Sequence, residues 1–184
     1  MELLIILGVV VAVALYAVSI YNDLVKKKNL VEEGWSGIET QLKRRSNLIP
    51  NLVDTVKGYA GHERETFEAV TEMRSQTMAA SDPADRGIKE GLLSAALGKL
   101  IAVAEAYPEL KANENFMSLQ KDLSETEDQI QLARRYYNGT VRDLNTRIES
   151  FPSNLVANTF SFQQAEFFEI QDPQAREVPK VDFG

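Results

Sequence analysis

The sequence predicts an all-α chain: an N-terminal transmembrane helix running into an antiparallel bundle of three long helices, with a short C-terminal helix after them. Three observations carry that expectation. The chain opens on an uncharged apolar run, "LLIILGVVVAVALYAVSIYN" from Leu3 to Asn22. Beyond it, apolar residues recur at steps of three, four or seven, the period of one helix face. No stretch alternates apolar and polar residues strongly enough to suggest a sheet.

Bulk properties narrow the classes further. The 184 residues suit one domain with a real core, and the absence of cysteine excludes disulfides, thiol catalysis and thiolate metal sites. A formal net charge of -7 leaves no surplus of Lys and Arg to displace counterions from phosphates, so a nucleic-acid binder is not expected.

The first element is the membrane span. About 20 uncharged residues are the length an α-helix needs to cross a bilayer core of roughly 30 Å. A secretory signal would want a basic start, a shorter apolar stretch and a small-residue cleavage site, whereas this chain starts Met1-Glu2 with no convincing A-x-A to follow. Tyr16 and Tyr21 suit an interface, and Lys26, Lys27 and Lys28 follow on the C-terminal side. By the positive-inside rule the N-terminus is expected outside and the bundle in the cytoplasm, with the membrane crossed once.

The first bundle helix carries Val31, Trp35, Ile38, Leu42, Ile49, Leu52, Val56 and Tyr59, a continuous stripe if Arg45 fills one step. No breaker separates it from the span, so the helix is expected to leave the bilayer and run on to about Thr77, with Gly58 and Gly61 as weak points. The break is "MAASDPAD", where Asp82 can cap a second helix and Pro83 suits its first position. Leu93, Ala96, Leu100, Val103 and Tyr107 form that helix's stripe, which should end at Tyr107, before Pro108. Asn113 is a plausible N-cap for a third helix, whose stripe runs from Phe116 to about Ser150. Pro152 ends it, and "NLVANTF" suits a short last helix. The predicted organisation is residues 1–28 as anchor and basic flank, 29–160 as helical bundle, and 161–184 as an extended or mobile tail.

Chemistry concentrates in "LKRRSNLIPNLV". Pro50 inside a helix removes one backbone hydrogen bond and clashes with the carbonyl of Ser46, at about 3 kcal/mol or more. Its structural reading is a kink that bends a long helix; the sharper reading is a hinge or docking site that uses groups freed near Ser46. Arg45 lies on the stripe, so its guanidinium either snorkels out or meets a carboxylate inside. Glu105, the lone charge in "LIAVAEAYP", is the expected partner.

No catalytic set stands out. His62 is the single histidine, which forbids a zinc-protease pair and a ferritin-like di-iron site; Ser/His/Asp catalysis would have only His62 as base, with no strand-turn-helix context for a nucleophile, and no glycine-rich phosphate loop is present. Arg134 and Arg135 sit near Asp128, Asp143 and Glu149, which reads as a solvated charged face rather than an RNA surface. No cofactor is expected.

"NLVEEGWSGIETQLKRRSNLIPNLVDTVKGYAGHE", "LIAVAEAYPELKANENFMSLQKDLSETEDQIQLARRYYNGTVRDLNTRIESFPSNLVA" and "EFFEIQDPQAREVPKVDF" together resemble the LemA family of bacterial membrane proteins, over nearly the whole chain. That resemblance implies a single N-terminal membrane segment followed by an α-helical bundle. It implies no assigned catalytic residues. Association with HtpX-type membrane proteases and envelope stress, and relatives among magnetosome proteins, point to scaffolding at a membrane.

The expected function is therefore a non-enzymatic, membrane-anchored scaffold or adaptor of the bacterial envelope. It would contact the bilayer through residues 3–22 and a protein partner, with an HtpX-type protease and a second copy of the chain as candidates. The alternatives are an accessory to a membrane protease or stress system, and a membrane-remodelling oligomer. Structural or interaction candidates are Arg44, Arg45, Pro50, Asn51, Glu105, Asn113, Arg134, Asn138 and Arg142.

Overall fold

The computed structural model describes residues 1–80 and 82–169. Six helices follow one another: α1 (Glu2–Lys57), α2 (Arg64–Ala79), α3 (Pro83–Glu105), α4 (Pro108–Lys111), α5 (Glu114–Glu149) and α6 (Ser153–Thr159), and the described residues contain no strand. Two compact units form: Met1–Thr40 with Gln131–Phe167, and Gln41–Ile130 with Phe168 and Glu169.

In the first unit the early part of α1 lies antiparallel to the late part of α5. Asp23 Oδ2 meets Arg147 Nε at 2.8 Å, and twelve residues on, the Trp35 ring packs on Tyr137 at 5.5 Å between centroids. Ile20, Leu24, Val31 and Ile38 from α1 and Tyr137, Val141, Leu144 and Ile148 from α5 are all buried. Val31, Ile38, Tyr137, Val141, Leu144 and Ile148 are stripe residues that the helical period selects, while Ile20 and Leu24 carry the same packed face back into the stretch expected to serve as anchor and flank. Gly34 permits the closest approach, since a methyl group there would stand 3.2 Å from the Tyr137 Cα. The span itself is exposed from Leu3 to Leu15, and α1 is long and apolar enough there to cross a membrane.

The second unit holds the rest of α1, then α2, α3, α4 and the early part of α5. Here the expected first helix is corrected. It stops at Lys57 instead of running to Thr77, and the chain turns back through Gly58–Glu63 into α2. The glycines weaken the helix where burial rewards a reversal: folding back buries Phe67 and Val70 in one core with Ile49, Leu52 and Val56. Asp82 caps α3 as expected, its Oδ1 accepting from Asp85 N at 2.7 Å, with Pro83 in the first turn. Helix α3 ends at Glu105, two residues short of Tyr107, and the one-turn α4 starts at Pro108. Asn113 caps α5 through Oδ1, which accepts from Phe116 N at 3.0 Å.

After α6 the chain has no regular secondary structure from 162 to 169, yet it is tied down. Asn145 grips Ala165 twice, Nδ2 donating to its carbonyl and Oδ1 accepting from its N–H, each at 2.9 Å. Phe168 is fully buried. The remainder of the predicted tail, 170–184, lies outside the described residues.

Candidate functional site

The charged centre of the second unit forms around Arg45. Its place on the α1 stripe, three residues after Leu42 and four before Ile49, turns the side chain inward, and it is wholly buried. Nη2 donates to Glu90 Oε2, while Nη1 donates to Glu127 Oε2 at 2.7 Å and to Ser94 Oγ at 3.0 Å. Helices α1, α3 and α5 are thereby joined through one guanidinium. Glu90 is as buried as Arg45, and its other oxygen lies 4.0 Å from Arg86 Nε. The Glu127 side chain keeps 36% of its surface exposed, so one end of the network reaches solvent.

Two arginines thus face two glutamates, and charge balances inside the cluster. A buried guanidinium is tolerated because each terminal nitrogen has a charged acceptor, which offsets desolvation. The expected Arg45 to Glu105 pair is corrected: Glu105 ends α3 and is exposed. The physical reason is position along α3. Arg45 lies level with Glu90 and Ser94, in the first half and middle of that helix, about three or more turns before Glu105.

Pro50 has a second arrangement beside it. Helix α1 continues through the proline, so the Ser46 carbonyl loses its usual donor. Arg74 of α2 supplies one: its Nε donates to Ser46 O at 2.8 Å and to Ser46 Oγ at 3.0 Å. The proline and the returning helix are coupled through one freed acceptor.

The remaining predicted residues scatter. Arg44, Pro50, Asn51 and Arg142 are exposed, and the Asn51 carbonyl accepts from Thr55 Oγ1 at 2.7 Å. Asn113, beyond its capping role, donates from Nδ2 to Tyr59 Oη at 3.1 Å. Arg134 donates to Gln131 Oε1 one turn back, and Asn138 is half-buried.

Sequence reasoning missed Glu90, Ser94, Glu127, Arg74 and Asn145, and placed Tyr137 only as a core residue. For the two glutamates a signal existed. The α5 stripe skips from Leu123 to Ile130, and Glu127 stands in the gap as Arg45 stands in the α1 gap; Glu90 sits three residues before Leu93 on the α3 stripe.

Among the described residues, Tyr137 is the titratable group whose environment shifts its pKa. Burial, and secondarily the nearby Glu166 carboxylate, push its hydroxyl above the usual tyrosine pKa of 10.0. The hydroxyl donates to the Glu166 carbonyl at 2.8 Å, fastening the segment after α6 to α5. Among the described residues no group of three or more His, Asp or Glu is placed to hold a metal ion. An open groove lined by Val53, Lys57, Phe67, Glu68 and Glu72 runs between α1 and α2, away from the Arg45 cluster.

A model of the LemA family matches residues 34–183, which takes in every residue of the Arg45 and Pro50 arrangements. The chain belongs to the LemA family. Protein LemA of Metamycoplasma hominis is 27% identical to this LemA-family chain over 162 residues, covering 88% of it and 72% of the relative. Magnetosome protein MamQ 2 of Paramagnetospirillum magneticum is 28% identical over 187 residues, covering 88% and 68%. Magnetosome protein MamQ of Magnetospirillum gryphiswaldense is 25% identical over 174 residues, covering 80% and 64%.

Proposed function

We propose that this LemA-family protein is a non-enzymatic, membrane-anchored helical scaffold or adaptor of the bacterial envelope, acting through protein–protein contacts that include self-association. One observation carries the reading. Helix α1 leaves the exposed apolar span and, without a break, buries Ile20, Leu24, Val31 and Ile38 within a helical unit. An anchor continuous with a packed core presents a fixed surface at a set height above the bilayer, which is what an adaptor requires. The Arg45 cluster fits the same reading, because its charges are spent on joining helices. The proposed placement is the inner membrane, N-terminus outside and bundle in the cytoplasm, since Lys26, Lys27 and Lys28 flank the span on that side. An HtpX-type membrane protease is a partner to be tested first.

Mild detergent extraction of the full-length chain followed by mass measurement of the intact complex tests the function. A defined oligomer, or a partner in fixed stoichiometry, is the expected result. A clean monomer with nothing bound, from detergent and from native membranes alike, would overturn it. Single cysteines introduced at Glu2 and at Glu33, probed with a membrane-impermeant maleimide in intact spheroplasts, test the orientation: Glu2 should label and Glu33 should not.

A further inference from the structure

The membrane-proximal end of the first unit has an unusual composition. Ser150 to Ala165, "SFPSNLVANTFSFQQA", is sixteen residues without a charge, in a chain that is 26% charged. At that overall frequency about four charges would fall in such a stretch. Its large apolar side chains are also exposed: Phe151 at 80%, Leu155 at 59% and Phe160 at 58%. For a water-facing helix cap this pairing is costly, since three big apolar groups stay hydrated with no charge among them.

The position of the stretch supplies the reason. Asp23 and Arg147 fix the register of α1 against α5 at 2.8 Å, so residues beyond Arg147 lie level with residues before Asp23. Phe151 is four residues further, about 6 Å along a helix axis, which puts it level with the last turn of the apolar run. Two ring contacts fix the other end: Tyr21 meets Phe160 edge-on at 4.8 Å and Phe162 at 5.7 Å. On the face of α1 that carries Ile20, itself 2% exposed, Tyr16 is 56% and Val13 62% exposed one and two turns earlier, so protein covers α1 up to the edge of the span and stops there.

We infer that α6 and its flanking turns form a second membrane contact, lying in the head-group layer with Phe151, Leu155 and Phe160 entering the acyl boundary of the bilayer that α1 crosses. The inference rests on reading the apolar run of α1 as a membrane span. A lipid surface is the occupant that fits. The patch adjoins the span, it is apolar without being charged, and Tyr21, Phe160 and Phe162 are the aromatic residues that favour an interface. Its consequence is a unit held to the membrane at two points, which fixes its rotation about the α1 axis.

The chain has no cysteine, so single cysteines can be placed cleanly. Full-length protein labelled with a nitroxide at Val11, Leu132, Leu155 or Phe160, all exposed positions, is reconstituted into phosphatidylethanolamine and phosphatidylglycerol nanodiscs. Collision rates with oxygen, which concentrates in lipid, are compared with those of a water-soluble nickel chelate. The inference expects oxygen to dominate several-fold at Leu155 and Phe160, as at Val11, with the order reversed at Leu132. Nickel dominating at Leu155 and Phe160 while oxygen dominates at Val11 would overturn the inference and leave the span intact. Low rates with both reagents at Leu155 and Phe160 would mean burial against a second copy, and would also overturn it. Nickel dominating at Val11 would overturn the span and the inference together.

Discussion

Replacing Arg45 with Met removes the guanidinium that answers Glu90 and leaves that carboxylate buried with only Arg86 at 4.0 Å nearby. Breaking a buried pair from one side costs about 3–5 kcal/mol, a large part of the ~5–15 kcal/mol that holds a domain folded. Glu127 adds little to that figure, because its partly exposed carboxylate can turn to water. At this chain length such a loss lowers Tm by on the order of 10 °C. The companion variant Arg45→Met/Glu90→Leu removes both charges and keeps apolar volume, so it should return to within about 1 kcal/mol of the parent. Denaturant unfolding of the full chain in detergent, followed by far-UV circular dichroism, measures all of these. Glu105→Ala, on an exposed helix end, should change stability by less than about 0.5 kcal/mol. A double variant as unstable as Arg45→Met alone, or a Glu105 effect of equal size, would refute the assignment of Glu90 as the partner.

Other outcomes follow from the same geometry. Arg74→Ala should cost about 1–2 kcal/mol in the parent but less in a Pro50→Ala background, where a residue with an N–H again satisfies Ser46; equal costs in a double-mutant cycle would deny the coupling. Pro50→Ala alone should raise the denaturation midpoint, since proline inside a helix is disfavoured by about 3 kcal/mol before any compensation. Gly34→Leu should destabilise the first unit by about 1–3 kcal/mol by forcing α1 away from the Tyr137 backbone, read as lost near-UV dichroism of Trp35 against Tyr137. Tyr137 has a raised pKa in the fold, so its contribution is complete below pH 10 and is lost as pH climbs from there through the folded value. Phe in its place should flatten that alkaline loss, and one of the six tyrosines should ionise late in an absorbance titration of the parent and be missing from that of Tyr137→Phe.

Helix period, capping residues and the charge-free run made most of this architecture readable in advance. Asp82 and Asn113 cap where their chemistry says they should, and Val31, Ile38, Val141 and Leu144 are buried as their spacing requires. The reversal after Lys57 was harder to read. Gly58 and Gly61 marked a weak point, but whether a helix bends there or turns back depends on what Phe67 and Val70 can bury against, which is a tertiary matter. The partner of Arg45 was misjudged for a similar reason. Isolation in sequence made Glu105 look special, whereas a buried ion pair is selected by which turns of neighbouring helices lie level, and that placed Glu90 and Glu127 opposite Arg45. Arg74 carried no local signal, since a long side chain reaching a carbonyl freed by proline leaves no periodic trace.

The claim at the centre is that α1 passes from the bilayer into the packed unit as one uninterrupted helix. Hydrogen exchange of the full-length chain in nanodiscs, resolved across Asn22 to Val31, tests it most directly. Slow exchange through the whole stretch, Lys26 to Lys28 included, is the predicted result. Rapid exchange there, at the rate of an unstructured linker, would contradict it and leave the bundle on a tether.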